Sequence, residues 1–201
     1  MKMKQLILGY MENNCYIKAS ADGKIVYIID PATEAEKIIE CVEHHFEFEK
    51  AVILLTHAHA DHIGAVKEIS EHFLIDEIML KSEDIELYES QANCIPPWFP
   101  LQKNLPKTVE VHDTDDFQVI MTPGHTRGGV CYYFQQDNEL FSGDTLFYRS
   151  VGRTDLPGGD WNTLHKSIRE KLFTLPQETI VYPGHGESST IGEEIKYNPY
   201  V

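Results

Sequence analysis

Five apolar residues, Ala51-Val52-Ile53-Leu54-Leu55, run without polar alternation and then break into Thr56-His57-Ala58-His59-Ala60-Asp61-His62. A run of this kind suits a strand buried on both faces better than one facing water. The three imidazoles and one carboxylate within six residues are N and O donors of the kind that bind Zn, Fe, Mn or Co. A loop leaving a strand end can aim such side chains at one point. Singly, each has a plainer use. Asp61 can cap a helix, because Val66, Ile69 and Phe73 follow at helical spacing, and His57 or His59 can be a hydrogen-bonded loop histidine. As a group, four such residues at the end of a buried strand carry a heavy desolvation cost unless something binds them.

Composition bounds the rest. With 201 residues, 42% of them hydrophobic, and no long biased tract, the chain reads as one domain over 1–201 with a sizeable core. The balance of 17 basic against 32 acidic residues gives a formal charge of −15, a field that repels phosphate backbones and disfavours nucleic acid as partner. Cys15, Cys41, Cys94 and Cys131 are scattered without C-x-x-C spacing, as free thiols in a reducing compartment would be. The stretch Met1 to Gly9 is basic at its start, but its apolar run is too short for a signal peptide. No segment approaches the roughly 18 apolar residues of a membrane span. The expected setting is the cytoplasm.

Along the chain, Gln5–Tyr10 and Asn14–Ala19 read as paired strands, and a turn at 21–24 leads to a strand ending at Asp30-Pro31. Ala35, Ile38, Ile39, Val42 and Phe46 predict an amphipathic helix from Glu34 to about Phe46, closed by solvated His44 and His45. A helix through Phe73 follows the histidines, then a strand at Glu77–Lys81, then a short helix from Glu83 to about Ser90 capped by Ser82. Three prolines keep 93–100 irregular, with Trp98 and Phe99 as loop packing or, alternatively, one wall of a cleft. Strands are expected at Thr108–His112, Phe117–Met121, Val130–Gln135, Glu139–Ser142 and Thr179–Tyr182, and a helix capped by Asp160 at Trp161–Phe173. Strands followed by strands with interspersed helices indicate a mixed α/β layer fold. His72, His112 and His165 are expected on the surface or in packing.

Three of the later strands end in polar punctuation: Thr122-Pro-Gly-His125-Thr, Ser142-Gly-Asp144-Thr and Tyr182-Pro-Gly-His185-Gly. Any one of these is an ordinary turn. Their joint position, each directly after an apolar strand, makes His125, Asp144 and His185 candidate ligands.

In this order the motifs resemble the complete metal signature of the metallo-β-lactamase-fold hydrolases, over nearly the whole chain. The resemblance implies a four-layer αββα sandwich of two mixed sheets with the site at one edge. Within that superfamily the sequence is most similar to the short, single-domain glyoxalase II-like (hydroxyacylglutathione hydrolase-like) enzymes, from Gly143-Asp-Thr-Leu-Phe147 through Gly152-Arg-Thr-Asp155 to Tyr197-Asn-Pro-Tyr200. Full-length glyoxalase II adds a C-terminal helical domain that helps hold glutathione, whereas this sequence ends soon after His185. The likeness implies that His57, His59 and His125 hold one divalent ion, Zn with Fe or Mn as alternatives. Asp61, His62 and His185 then hold a second, and Asp144 bridges, with Asp61 and Asp144 counted as catalytic. Tyr148 and Arg153 become candidate substrate contacts, Arg153 having the alternative of an ion pair with Asp155.

Seven protein ligands are too many for one tetrahedral ion but reasonable for two. Such a pair can activate a shared water against a carbonyl, and a thioester suits it because a thiolate, with a thiol pKa of about 8.5, leaves without a dedicated general acid. The first expectation is therefore a hydrolase of acylglutathione-like thioesters. Gly152-Arg-Thr-Asp155 also resembles the persulfide dioxygenases of the same fold, which gives the runner-up: a mononuclear Fe(II) oxidoreductase. A non-catalytic metal-binding module and a nuclease are weaker alternatives, the latter disfavoured by the charge.

Overall fold

The computed structural model describes residues 2–201, so Met1, the start of the basic N-terminal stretch, lies outside the described residues. The first sheet has the order β1 (Met3–Leu8), β2 (Asn13–Ala19), β3 (Ile25–Ile29), β4 (Lys50–Leu54) and β5 (Ile75–Met79). Its first two pairings are antiparallel and its last two parallel. The second sheet comprises β6 (Gln118–Met121), β7 (Val130–Phe134), β8 (Glu139–Gly143), β11 (Ile180–Pro183) and β12 (Ser189–Thr190), with β8 and β11 parallel. A small hairpin, β9 (Leu146–Phe147) with β10 (Ser150–Val151), lies between β8 and β11 in the chain. The helices are α1 (Ala35–His45), α2 (Ala60–Ile63), α3 (Val66–His72), α4 (Ile85–Tyr88), α5 (Trp161–Glu170) and α6 (Ile191–Tyr197).

The two-residue period of the strands sorts their side chains into separate cores. Tyr16, Tyr27, Ile29, Val52 and Leu54 turn inward from the first sheet to meet Val130, Tyr132, Phe134 and Phe141 of the second. Their neighbours Cys15, Ile17, Val26, Ile28, Ala51 and Ile53 turn outward, against Ile38, Val42, Val66 and Ile69 of α1 and α3. Cys131, Tyr133 and Leu140 face Leu164, Ile168 and Ile191 on the far side. The chain is thus an αββα sandwich, and the run at 51–55 lacks alternation because both faces of β4 are covered.

Several local expectations need correction. The helix after the histidines is two helices: Ala65 gives its N–H to Pro31 O at 2.9 Å, and Gly64 passes so close to Ala32 O that a Cβ would lie 2.2 Å from it. Thr108–His112 is not a strand but a single bridge between Val109 and Met79, with only Val111 of its side chains buried. Ser82 caps nothing. Its hydroxyl bonds Glu83 at 2.9 Å, and the segment divides into a 3₁₀ turn at Ser82–Asp84 and α4. Asp160 does cap α5, accepting Thr163 N–H at 2.8 Å. The helix stops at Glu170 and continues as a 3₁₀ turn. All four cysteines are free. Among the described residues no helix is long and apolar enough to cross a membrane.

Candidate metal centre

Strand polarity assembles the site. β6 and β8 both run antiparallel to β7, and β11 runs parallel to β8, so β6, β8 and β11 finish at one edge of their sheet. The parallel strands β3 and β4 likewise finish together. The segments that follow these strand ends carry Asp30, His57–His62, His125, Asp144 and His185. His57, His59 and His125 offer ring nitrogens all within 4.8 Å of one another, and Asp61, His62 and His185 form a second triad by the same measure. Asp144 lies between them, Oδ1 3.3 Å from His62 Nε2 and Oδ2 3.6 Å from His125 Nε2 and 3.7 Å from His185 Nε2. All seven side chains singled out in the sequence therefore come together.

The imidazoles are aimed from behind. Nδ1 of His62 lies 3.1 Å from Asp30 Oδ2, Nδ1 of His125 lies 2.7 Å from Arg153 O, and Nδ1 of His185 lies 3.0 Å from Met11 O. Nδ1 of His57 meets the Thr56 hydroxyl at 3.1 Å. With Nδ1 occupied, Nε2 of each faces the cluster, the arrangement by which outer partners orient metal-binding histidines. His59 is the exception: its Nδ1 points inward, 2.9 Å from His125 Nε2. Asn13, at the start of β2, steadies the second triad by donating to Asp61 Oδ2 at 3.1 Å beside His185 Nε2 at 3.2 Å. Close packing demands Gly184, where a Cβ would lie 2.3 Å from Asp144 Oδ1 and 2.7 Å from His62 Cε1.

His57 Nε2, His62 Nε2 and Asp144 Oδ1 are buried without a hydrogen-bond partner, although the last two lie close together. Buried polar atoms are nearly always satisfied, so unpartnered atoms on a member of each triad and on the Asp144 between them fit a cluster built to hold cations. Burial holds the His57 pKa well below the usual imidazole range and brings that of His59 down to about 4, with His125 as the next cause. Both are thereby kept as neutral donors. Burial alone would raise the carboxylates. The neighbouring His62 outweighs it, holding Asp61 far below the usual range and Asp144 at about 2. An anionic, oxygen- and nitrogen-lined, sulfur-free pocket fits divalent ions.

The sequence pattern of the Metallo-beta-lactamase superfamily matches residues 9–185. The chain belongs to that superfamily. The hydroxyacylglutathione hydrolase GloC of Haemophilus influenzae is 36% identical over 193 residues, covering 90% of this chain and 89% of the relative. Among solved structures, BLEG-1 B3 metallo-beta-lactamase superposes with a TM-score of 0.85 at 36% identity, covering 99% of each chain. TTHA1623 in a di-iron-bound form gives 0.83 at 36%, covering 98% of this chain and 100% of that one. ETHE1 from Myxococcus xanthus gives 0.75 at 28%, covering 99% and 84%.

Around this metallo-beta-lactamase-fold site, the remaining candidates fall less centrally. Arg153 pairs with Asp155 through two bonds of 2.7 Å in solvent, and it is its backbone carbonyl that reaches the cluster through His125. Tyr148 is exposed on the β9–β10 turn under the Arg149 guanidinium, whereas its neighbour Phe147 faces the His185 ring at 6.3 Å. Phe99 is buried, and Trp98 stacks on Tyr10 at 4.5 Å. His72 and His112 lie on the surface near Glu43 and Glu77, and His165 lies beside Trp161. Sequence reasoning missed Asn13, Asp30, Asp84 and Phe147. Asp30 carried a signal, a carboxylate directly after a buried strand as at Asp144. Asp84, inside a charged helical segment, carried none.

Proposed function

We propose that this chain is a single-domain, dinuclear metal-dependent hydrolase that cleaves acylglutathione-like thioesters. The observation that carries this reading is the completeness of both triads with Asp144 between them, Oδ1 toward His62 and Oδ2 toward both His125 and His185. His57, His59 and His125 would hold one ion, Asp61, His62 and His185 the other, and Asp144 both. Zn is the first expectation, with Fe or Mn as alternatives. Two divalent ions held there would supply an activated water and the polarisation of a carbonyl group. The protein's part is to fix seven donors from buried strand ends and to hold His57 and His59 unprotonated. No proton donor to the departing sulfur is required, because a thiolate is a stable leaving group. The likeness to GloC supports the acylglutathione class, and the di-iron form of TTHA1623 supports two ions. Four free cysteines suit a cytoplasmic enzyme, and the −15 charge suits a small-molecule substrate over nucleic acid.

A second reading, a mononuclear Fe(II) persulfide dioxygenase, is favoured by Gly152-Arg-Thr-Asp155 and by the likeness to ETHE1. That stretch, however, serves the cluster itself: Gly152 N–H bonds Thr145 O at 3.3 Å and Arg153 O anchors His125. Such support is useful to either chemistry, and the second triad is the feature that the two-ion reading uses and a one-ion reading leaves empty.

Thiol release from S-lactoylglutathione, measured in Zn- and Fe-reconstituted protein beside oxygen uptake with glutathione persulfide, separates the two. The hydrolase reading expects thiol release and no oxygen uptake. Rapid oxygen uptake by the iron form, with no thioester cleavage by either, overturns it. Cleavage of a β-lactam but no thioester would retain the hydrolase and replace its substrate.

A further inference from the structure

Two buried carboxylates stand behind the histidines. Asp30 receives the Thr56 N–H at 2.8 Å and the Thr56 hydroxyl at 2.6 Å, and reaches His62 on its other side. Asp84 belongs to no strand end and is distant in sequence from every ligand loop, yet it is only 1% exposed. It accepts the N–H of Ala58 at 3.2 Å, the hydroxyl of Thr126 at 2.7 Å and the N–H of Gly128 at 2.7 Å. Ala58 stands between His57 and His59, and Thr126 follows His125. The three donors thus come from the two loops that carry the first triad. Gly128 leaves the room this needs, since a Cβ there would lie 2.8 Å from both Asp84 N and Asp84 Cγ. Every partner donates, so only an acceptor with two oxygens satisfies them all. None of Asp61, His62 and His185, nor a residue adjoining them, bonds to Asp84.

We propose that Asp84 is the positioning residue of the first triad. It clasps the 57–59 loop to the 125–128 loop at the separation that lets His57, His59 and His125 serve one ion. The assignment rests on the dinuclear reading for there being a second ion to leave undisturbed. In Asp84→Asn the carboxamide keeps one acceptor oxygen and turns an NH2 group toward donors, which pushes the two loops apart. Outer partners of metal ligands typically contribute about 10–100-fold in affinity, so one of the two ions should bind weaker by about that factor while the other is unchanged.

Co(II) titration followed by visible absorption tests this, with His125→Ala and His185→Ala proteins supplying the spectra of a chain missing one triad or the other. The expected result is that Asp84→Asn at low Co(II) shows the spectrum of His125→Ala. Equal weakening of both ions, selective loss of the ion missing in His185→Ala, or no weakening overturns the proposal. Should Asp84→Asn fail to fold, Thr126→Val removes one of the three donors and must show the same selective weakening to a smaller degree; two unchanged sites there overturn it as well. A wild type that takes up a single ion contradicts the dinuclear reading instead, and the role of Asp84 is then decided by whether Asp84→Asn weakens that ion.

Discussion

Replacing Asp144 by asparagine is expected to lower turnover about a thousand-fold, and to cost far more than the same change at Asp61. Asp144 sends Oδ1 toward His62 and Oδ2 toward His125 and His185, so its charge is shared by both triads. Asp61 reaches only the second, 3.4 Å from His185 Nε2 and 3.8 Å from His62 Nε2, with Asn13 holding the same oxygen. An amide at 144 removes the shared charge and offers an NH2 group to one triad where an acceptor is needed. A loss of several kcal/mol of charge stabilisation corresponds to a rate loss of this order. Asp61→Asn should cost less, since it disturbs one ion only. Steady-state rates and metal content of the two variants decide the matter, and equal losses with unchanged metal content contradict the shared role of Asp144.

Gly152→Ala, a single methyl outside the ligand set, should be nearly as damaging. A Cβ at 152 would lie 1.8 Å from Asp144 O, 3.0 Å from Asp144 C and 3.2 Å from His125 Nδ1. Backbone atoms cannot swing aside as a side-chain tip can, so the 152 segment must separate from the 144 turn. Arg153 O then leaves His125 Nδ1, and a shared ligand and a first-triad ligand move together. Overpacking of this kind destabilises by about 1–3 kcal/mol or more. Activity should fall by at least about a hundred-fold, on the scale of displaced ligands, with lowered metal content and a lower Tm. Full activity with two bound ions would show that the 144–152 contact yields without cost.

The site was legible in the sequence because its ligands follow apolar strands, and a histidine or aspartate there has few structural uses. The αββα layers were legible through the resemblance. The bottom-up pattern of β4 showed only that both its faces are covered. What escaped was held by contacts distant in sequence. The break in the helix after the histidines comes from Pro31 O and Ala32 O meeting Ala65 and Gly64, a tertiary approach that local helical spacing cannot report. Thr108–His112 has strand composition, but only Val109 reaches β5. The hairpin β9–β10 and strand β12 have two residues per strand, too short for any period to register. Helix α6 is announced only by Thr190, whose hydroxyl accepts Glu193 N–H at 3.2 Å. Asp84 is the clearest case of a residue whose importance lies wholly in its partners.

Metal stoichiometry tests the account most directly. Protein stripped with chelator and reconstituted separately with Zn and Fe should bind two ions per chain by elemental analysis, and His185→Ala should bind one. His72→Ala, on the surface beside Glu43, should bind two like the wild type. A wild type that remains at one ion per chain with either metal contradicts the dinuclear centre and, with it, the hydrolase reading built on the second triad.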